Sequence, residues 1–148
     1  MPEGETAFID TNVVLYALGT EEPKRSIAQY VLNRHPILSV QVLSEAGNVL
    51  HRKYEVPKAE VVVELETIIA LVDRVAPLDG ATLRRAWDLW RRHALAWFDS
   101  LILASALTAN CQVLYSEDFQ HGQKIEDQLT ILNPFVAGAL DADVKRIS

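Results

Sequence analysis

A chain of 148 residues is the size of one ordinary domain. With 49% hydrophobic and 23% charged residues it has globular composition, which excludes disorder, collagen and coiled coil as whole-chain readings. Fourteen basic against 20 acidic residues give a net charge of −6; this argues against a simple electrostatic nucleic-acid binder, but not against an enzyme that meets nucleic acid through metal ions held by clustered carboxylates.

The first apolar run, residues 6–9, reads as a short buried strand ending in a turn or helix cap at Asp10-Thr11-Asn12. A helix is predicted from Glu22-Pro23 to about Leu32, and a second short strand over 36–39. Val42, Leu43, Ala46, Val49 and Leu50 recur at helical spacing within 40–53. Pro57 opens the next helix, where its missing N–H costs nothing. That helix carries a stripe of Val61, Leu65, Ile68, Ile69, Val72 and Val75, and further apolar side chains such as Val62 and Val63 lie off the stripe, suited to a partner chain. Residues 75–78 read as a strand, at a sheet edge because of Pro77, and Asp79-Gly80 as a turn. A helix follows over 82–94, with Leu83, Ala86, Trp87 and Trp90 packing inward. Residues 101–107 are apolar almost all round, as in a central buried helix, and Asn110 is its stop. Strands are predicted at 113–115 and 129–132. Strands alternating with helices imply an α/β fold with a parallel sheet covered on both faces.

In such a sheet, ligands bind beyond the carboxyl ends of the strands. Asp10 and Asp118 each follow a strand run, which puts both at that edge. Glu45 lies in an otherwise apolar helical stretch, and Asp99 stands at the mouth of the most apolar helix. Taken singly, each has an ordinary reading: Asp10 or Asp99 caps a helix, Glu45 faces solvent, Asp118 belongs to a turn. Converging, they would repel one another and raise one another's pKa, which a divalent cation would relieve. Oxygen-only ligands suit Mg²⁺ or Mn²⁺, and no Cys/His cluster suggests zinc.

Phe8-Ile9-Asp10-Thr11-Asn12, Ser44-Glu45, Trp97-Phe98-Asp99-Ser100 and the stretch from Leu114 through Ser116, Glu117 and Asp118 to Gly122 resemble the successive motifs of PIN-domain ribonucleases. The resemblance is greatest to the VapC-type toxins of toxin–antitoxin pairs, and it spans residues 6–135. It implies a PIN-like three-layer α/β/α sandwich with a short parallel central sheet, built from residues 1–136, with 137–148 as a C-terminal tail. It implies a Mg²⁺- or Mn²⁺-dependent endoribonuclease that leaves a 5′-phosphate and a 3′-hydroxyl. Asp10, Glu45, Asp99 and Asp118 would be the catalytic acids; Asp10, Asp99 and Asp118 the metal ligands; Asn12 and Ser116 supporting residues. The implied partners are an RNA substrate, a cognate antitoxin protein and a second copy of the chain.

Arg84, Arg85, Arg91 and Arg92 pair at a separation of seven residues, so with His93 they form a basic ridge before Asp99 that suits RNA phosphates or a solvated face equally. Trp97 and Phe98 are expected to wall the site, His121 to be a loop residue, and the single cysteine, Cys111, to be a buried small apolar residue that forms neither an internal disulfide nor a thiolate metal site. The acidic N-terminus lacks the marks of a signal peptide and no apolar run approaches the ~20 residues of a bilayer span, so a cytoplasmic protein without a membrane is expected. Two other classes compete. A phosphotransfer protein with an aspartyl nucleophile would need a second Asp where Asn12 stands, or a receiver-type acidic pair with a later lysine. A non-catalytic PIN-like binding module would not need all four acids.

Overall fold

The structure, a computed structural model, describes residues 5–140. Three-residue strands β1 (Ala7–Ile9), β2 (Ile37–Ser39) and β4 (Val113–Tyr115) are buried at every position. Strands covered on both faces need continuous apolar runs, and these sequences supply them. With β3 (Arg74–Ala76), β5 (Lys124–Ile125) and β6 (Leu129–Leu132) they form one sheet of order β3-β2-β1-β4-β6-β5. Every pairing is parallel except β5 with β6. Helices flank the sheet in two packed groups. One group comprises α1 (Thr11–Leu18), α2 (Lys24–Leu32), α3 (Val40–Arg52) and α4 (Lys58–Leu71), and the other α5 (Gly80–Arg92) and α6 (Trp97–Thr108). This is the α/β/α sandwich with a short, mostly parallel sheet.

Local chemistry sets the helix ends. Asp10, Ser39 and Asp79 stand at the N-caps of α1, α3 and α5. Ser39 and Asp79 accept from the N–H groups of Val42 and Thr82, three residues on. Asn110, just past α6, takes φ 60°, the left-handed stop that the sequence suggests. In α6 every residue from Ser100 to Leu107 is buried, as the unbroken apolar composition requires. Gly47 marks the crossing of α3 and α4: a Cβ there would stand 3.0 Å from Leu65 Cδ1. Cys111 is fully buried, and burial pushes its thiol up to about 12.

Several expectations are corrected. Of the turn or helix cap read at Asp10, the cap is what forms, and it opens a helix over residues 11–18 whose extent the sequence did not suggest, because TNVVLYAL is rich in β-branched and aromatic residues and lacks a polar face. The two-residue strand β5 is antiparallel to β6 and turns through Glu126 and Asp127, both at positive φ. Trp87 and Trp90 are half exposed rather than core, because α5 is covered on a narrow face of Thr82, Ala86 and Leu89. Along α4 only Val61 and Ile68 are buried, leaving Val62, Val63 and Ile69 exposed. The edge strand predicted at 75–78 ends before Pro77. The C-terminal tail is described as far as Leu140, which packs against the core; positions 141–148 lie outside the described residues.

Candidate active site

Parallel register assembles the centre of the site. Ile9 of β1 pairs with Tyr115 of β4, so the residues that follow them, Asp10 and Ser116, emerge side by side at the carboxyl edge. The Asp10 amide donates to Tyr115 O at 3.0 Å, closing the last rung. Ser116 Oγ donates to Asp10 Oδ2 at 2.7 Å, and the Thr11 N–H donates to Asp10 Oδ1 at 2.7 Å. Asp10 thus caps α1 and is also fixed toward the site, so the two readings of this residue are one.

The other acids arrive on separate elements. Glu45, partly exposed on α3, is held on both oxygens: Thr11 Oγ1 donates to Oε2 at 2.9 Å and Gln41 Nε2 to Oε1 at 2.9 Å. Gln41 Oε1 is buried with no hydrogen-bond partner. Asp99 lies in the first turn of α6 rather than at its cap, which is Ala96, so the helix end favours its anion without a cap bond. Asp118 is exposed on the loop after β4, where Asn12 Nδ2 donates to its Oδ2 at 3.1 Å and its own amide donates to Ser116 Oγ at 3.1 Å.

Electrostatics ties the four together. Burial pushes the Asp10 carboxyl up to about 6; the Ser116 and Thr11 hydrogen bonds oppose this, and the charges of Asp118 and Glu45 add to it. Asp99 is also raised, first by burial and then by Asp118 and Glu45. Each of the two buried-side acids therefore senses both of the others across the site. Among the described residues no group of three or more His, Cys, Asp or Glu side chains is gathered closely enough to hold a metal ion by itself. The donors are carboxylates, the chemistry that a hard cation prefers, and spread this far apart they would suit one that retains much of its water, as Mg²⁺ does. The uncompensated repulsion is what such a cation would remove.

The basic ridge is not part of this network. On α5, Arg91 and Arg92 pair with Asp88 at 2.9 and 2.8 Å, and Arg92 and His93 also reach Glu126. Arg84 and Arg85 are exposed and pair with no acid among the described residues. α5 meets the site through Trp90, whose ring stands edge-on to Trp97 with centroids 5.4 Å apart. Trp97 packs against the core and Phe98 is exposed. His121 is a loop residue whose Nδ1 accepts from the Asn133 N–H. Sequence reasoning missed Thr11 and Gln41 as holders of Glu45. Gln41 had a signal, since it lies four residues before Glu45 on one helix face.

The PIN domain family matches residues 7–124, and the chain belongs to that family. No curated protein matches it. Among solved structures it is similar to VapC20 of Mycobacterium tuberculosis, described as a sarcin–ricin loop cleaving toxin, at 20% identity and a TM-score of 0.61, covering 76% of this chain and 90% of that one. It is similar to a toxin–antitoxin complex from Klebsiella pneumoniae at 18% identity and a TM-score of 0.66, covering 88% and 98%. FitAcB from Neisseria gonorrhoeae aligns at 20% identity and a TM-score of 0.66, covering 88% and 99%. At these identities the likeness is one of fold.

Proposed function

We propose that this protein is a metal-dependent endoribonuclease and the toxin of a toxin–antitoxin pair. The observation that carries the reading is the convergence of Asp10, Glu45, Asp99 and Asp118 at one sheet edge, where burial and mutual repulsion raise Asp10 and Asp99. PIN nucleases generally use a divalent metal. Asp10, Asp99 and Asp118 would hold Mg²⁺ or Mn²⁺. When bound, the ion supplies a water of lowered pKa and neutralises charge on the phosphodiester. Glu45, oriented by Thr11 and Gln41, accepts the proton of the attacking water. Ser116 and Asn12 keep Asp10 and Asp118 in place. Cleavage leaves a 5′-phosphate and a 3′-hydroxyl.

Arg84 and Arg85, without an ion pair among the described residues, are the stronger candidates for RNA phosphates; Arg91 and Arg92 contribute less because Asp88 already holds them. The half-exposed Trp87 and Trp90 beside them offer faces on which bases stack. The toxin–antitoxin neighbours support an antitoxin partner. The exposed valines of α4 support a homodimer. Among the described residues no helix is long and apolar enough to cross a membrane; the proposed place of action is the cytoplasm. Domain boundaries of 1–136 with a separate tail from 137 belong to the same proposal.

The deciding experiment is cleavage of an RNA panel by the purified protein with Mg²⁺ or Mn²⁺, with EDTA, and as Asp99→Asn. Metal-dependent cleavage that falls by at least about a hundredfold in the variant is expected. A rate in the variant, or in EDTA, equal to that of the wild type with metal would sink the assignment. In the same assay Arg84→Glu with Arg85→Glu should raise KM severalfold with kcat nearly kept.

A further inference from the structure

Glu117 stands between Ser116 and Asp118 and takes no part in the chemistry above, yet its side chain and its amide are both held. Tyr16 Oη donates to Glu117 Oε1 at 2.6 Å. Lys24 Nζ donates to Tyr16 Oη at 3.0 Å and to Glu117 Oε2 at 3.1 Å, closing a triangle. The same ammonium lies 4.5 Å from the Tyr16 ring centroid and 5.6 Å from that of Phe135, whose ring meets Tyr16 edge-on at 4.9 Å. The main chain is held as well: the Glu117 N–H donates to Asn12 Oδ1 at 3.3 Å, and the same side chain's Nδ2 donates to Asp118 Oδ2 at 3.1 Å. Segments far apart in sequence, α1, the first residue of α2, the loop after β4 and the chain beyond β6, therefore meet in one cluster around Lys24 and Tyr16.

We propose that Tyr16, Lys24 and Glu117 form a positioning clamp that fixes Asp118 opposite the other acids, so that the site accepts a divalent cation. The inference rests on the nuclease reading and deepens it. Asp118 needs such a device because it alone of the four acids lies on a loop. Asp10 caps a helix at a strand end, and Glu45 and Asp99 lie within helices. An exposed loop residue retains much of its conformational freedom unless its neighbours are tied. The clamp ties residue 117 at its side chain, beside the amide that Asn12 holds. Lys24 also neutralises Glu117, which would otherwise add a fifth negative charge beside Asp118. The Lys24–Glu117 pair is about a quarter to a third exposed, and pairs so placed contribute little to global stability, so its effect falls on position. Tyr16 and Lys24 touch none of the four acids; they act through Glu117.

The test compares wild type with Tyr16→Phe, which keeps the ring, the stack and the charge count, and with Lys24→Met. Tyr30→Phe is the control. Three quantities are read: amide exchange at Glu117 and Asp118 in the metal-free protein by NMR, Mn²⁺ affinity by EPR, and Tm. In both variants exchange at 117 and 118 should quicken about tenfold while the Asp10 amide, bonded to Tyr115, keeps its protection. Mn²⁺ affinity should fall about tenfold with Tm nearly unchanged, the usual scale for groups that orient metal ligands. If one variant fails to fold, the other carries the test. Unchanged exchange in both, or faster exchange with wild-type Mn²⁺ affinity, overturns the clamp. A wild type that neither binds Mn²⁺ nor cleaves RNA overturns the nuclease reading and the clamp's role toward a cation with it.

Discussion

Asp10 carries a charge that its surroundings resist, and that resistance has a sign. Its folded carboxyl titrates at about 6, above the ordinary value of 3.8, with burial the main cause. In the metal-free protein the native state therefore binds the proton more tightly than the unfolded chain does. The stability so gained is complete below pH 3.8 and is lost as pH rises toward about 6. Asp10→Asn removes the unfavourable charge while keeping an acceptor for the Thr11 amide. It should stabilise the metal-free protein at pH 8 by about 1–3 kcal/mol and much less at pH 4. Thermal melts at the two pH values read this directly; equal effects at both would contradict it. The four acids of the proposed site stand out in the sequence because each sits beside a strand end or at an apolar helix, where a carboxylate is out of place. Tyr16 and Glu117 do not, since 101 positions separate them and only the folded chain makes them neighbours.

At the scale of elements, α6 has the least freedom. Leu103 and Leu107 are fully buried, and Asp99 belongs to the same helix's first turn. Leu103→Ala should cost about 2–5 kcal/mol in urea denaturation, the usual range for a leucine removed from a packed core. A loss below about 1 kcal/mol would mean that the helix is less tightly enclosed than its burial implies. This helix was legible from composition alone, because no polar face leaves no surface to expose. On α5 composition misled: Trp87 and Trp90 are apolar enough for a core, but the inward face is filled by Thr82, Ala86 and Leu89 and has no room for them. Helix α1 was hidden for the opposite reason. Its β-branched residues favour strand locally, and what holds it helical is the Asp10 cap with burial of Val13, Val14 and Ala17.

For the molecule as a whole, alternation of strands and helices sufficed to give the layered architecture, while the antiparallel β5 was too short to leave a periodic signal. The α4 surface bears on assembly. Val62 and Val63 are 60% and 65% exposed, apolar surface that the proposed homodimer would cover. Val63→Lys should shift sedimentation velocity toward the monomer and leave Tm almost unmoved, as expected of a surface site. An unchanged sedimentation coefficient would place any contact between copies elsewhere.

The deep burial of Cys111 has a practical consequence. With its thiol inaccessible and pushed up to about 12, the only sulfhydryl in the chain is withheld from alkylating agents and from exchange with other thiols. The folded protein should keep without reductant and form no covalent dimers on storage. A cysteine introduced on the surface, for instance at Phe98, would then be the one position that takes a fluorophore or spin label, without any need to remove the native residue first.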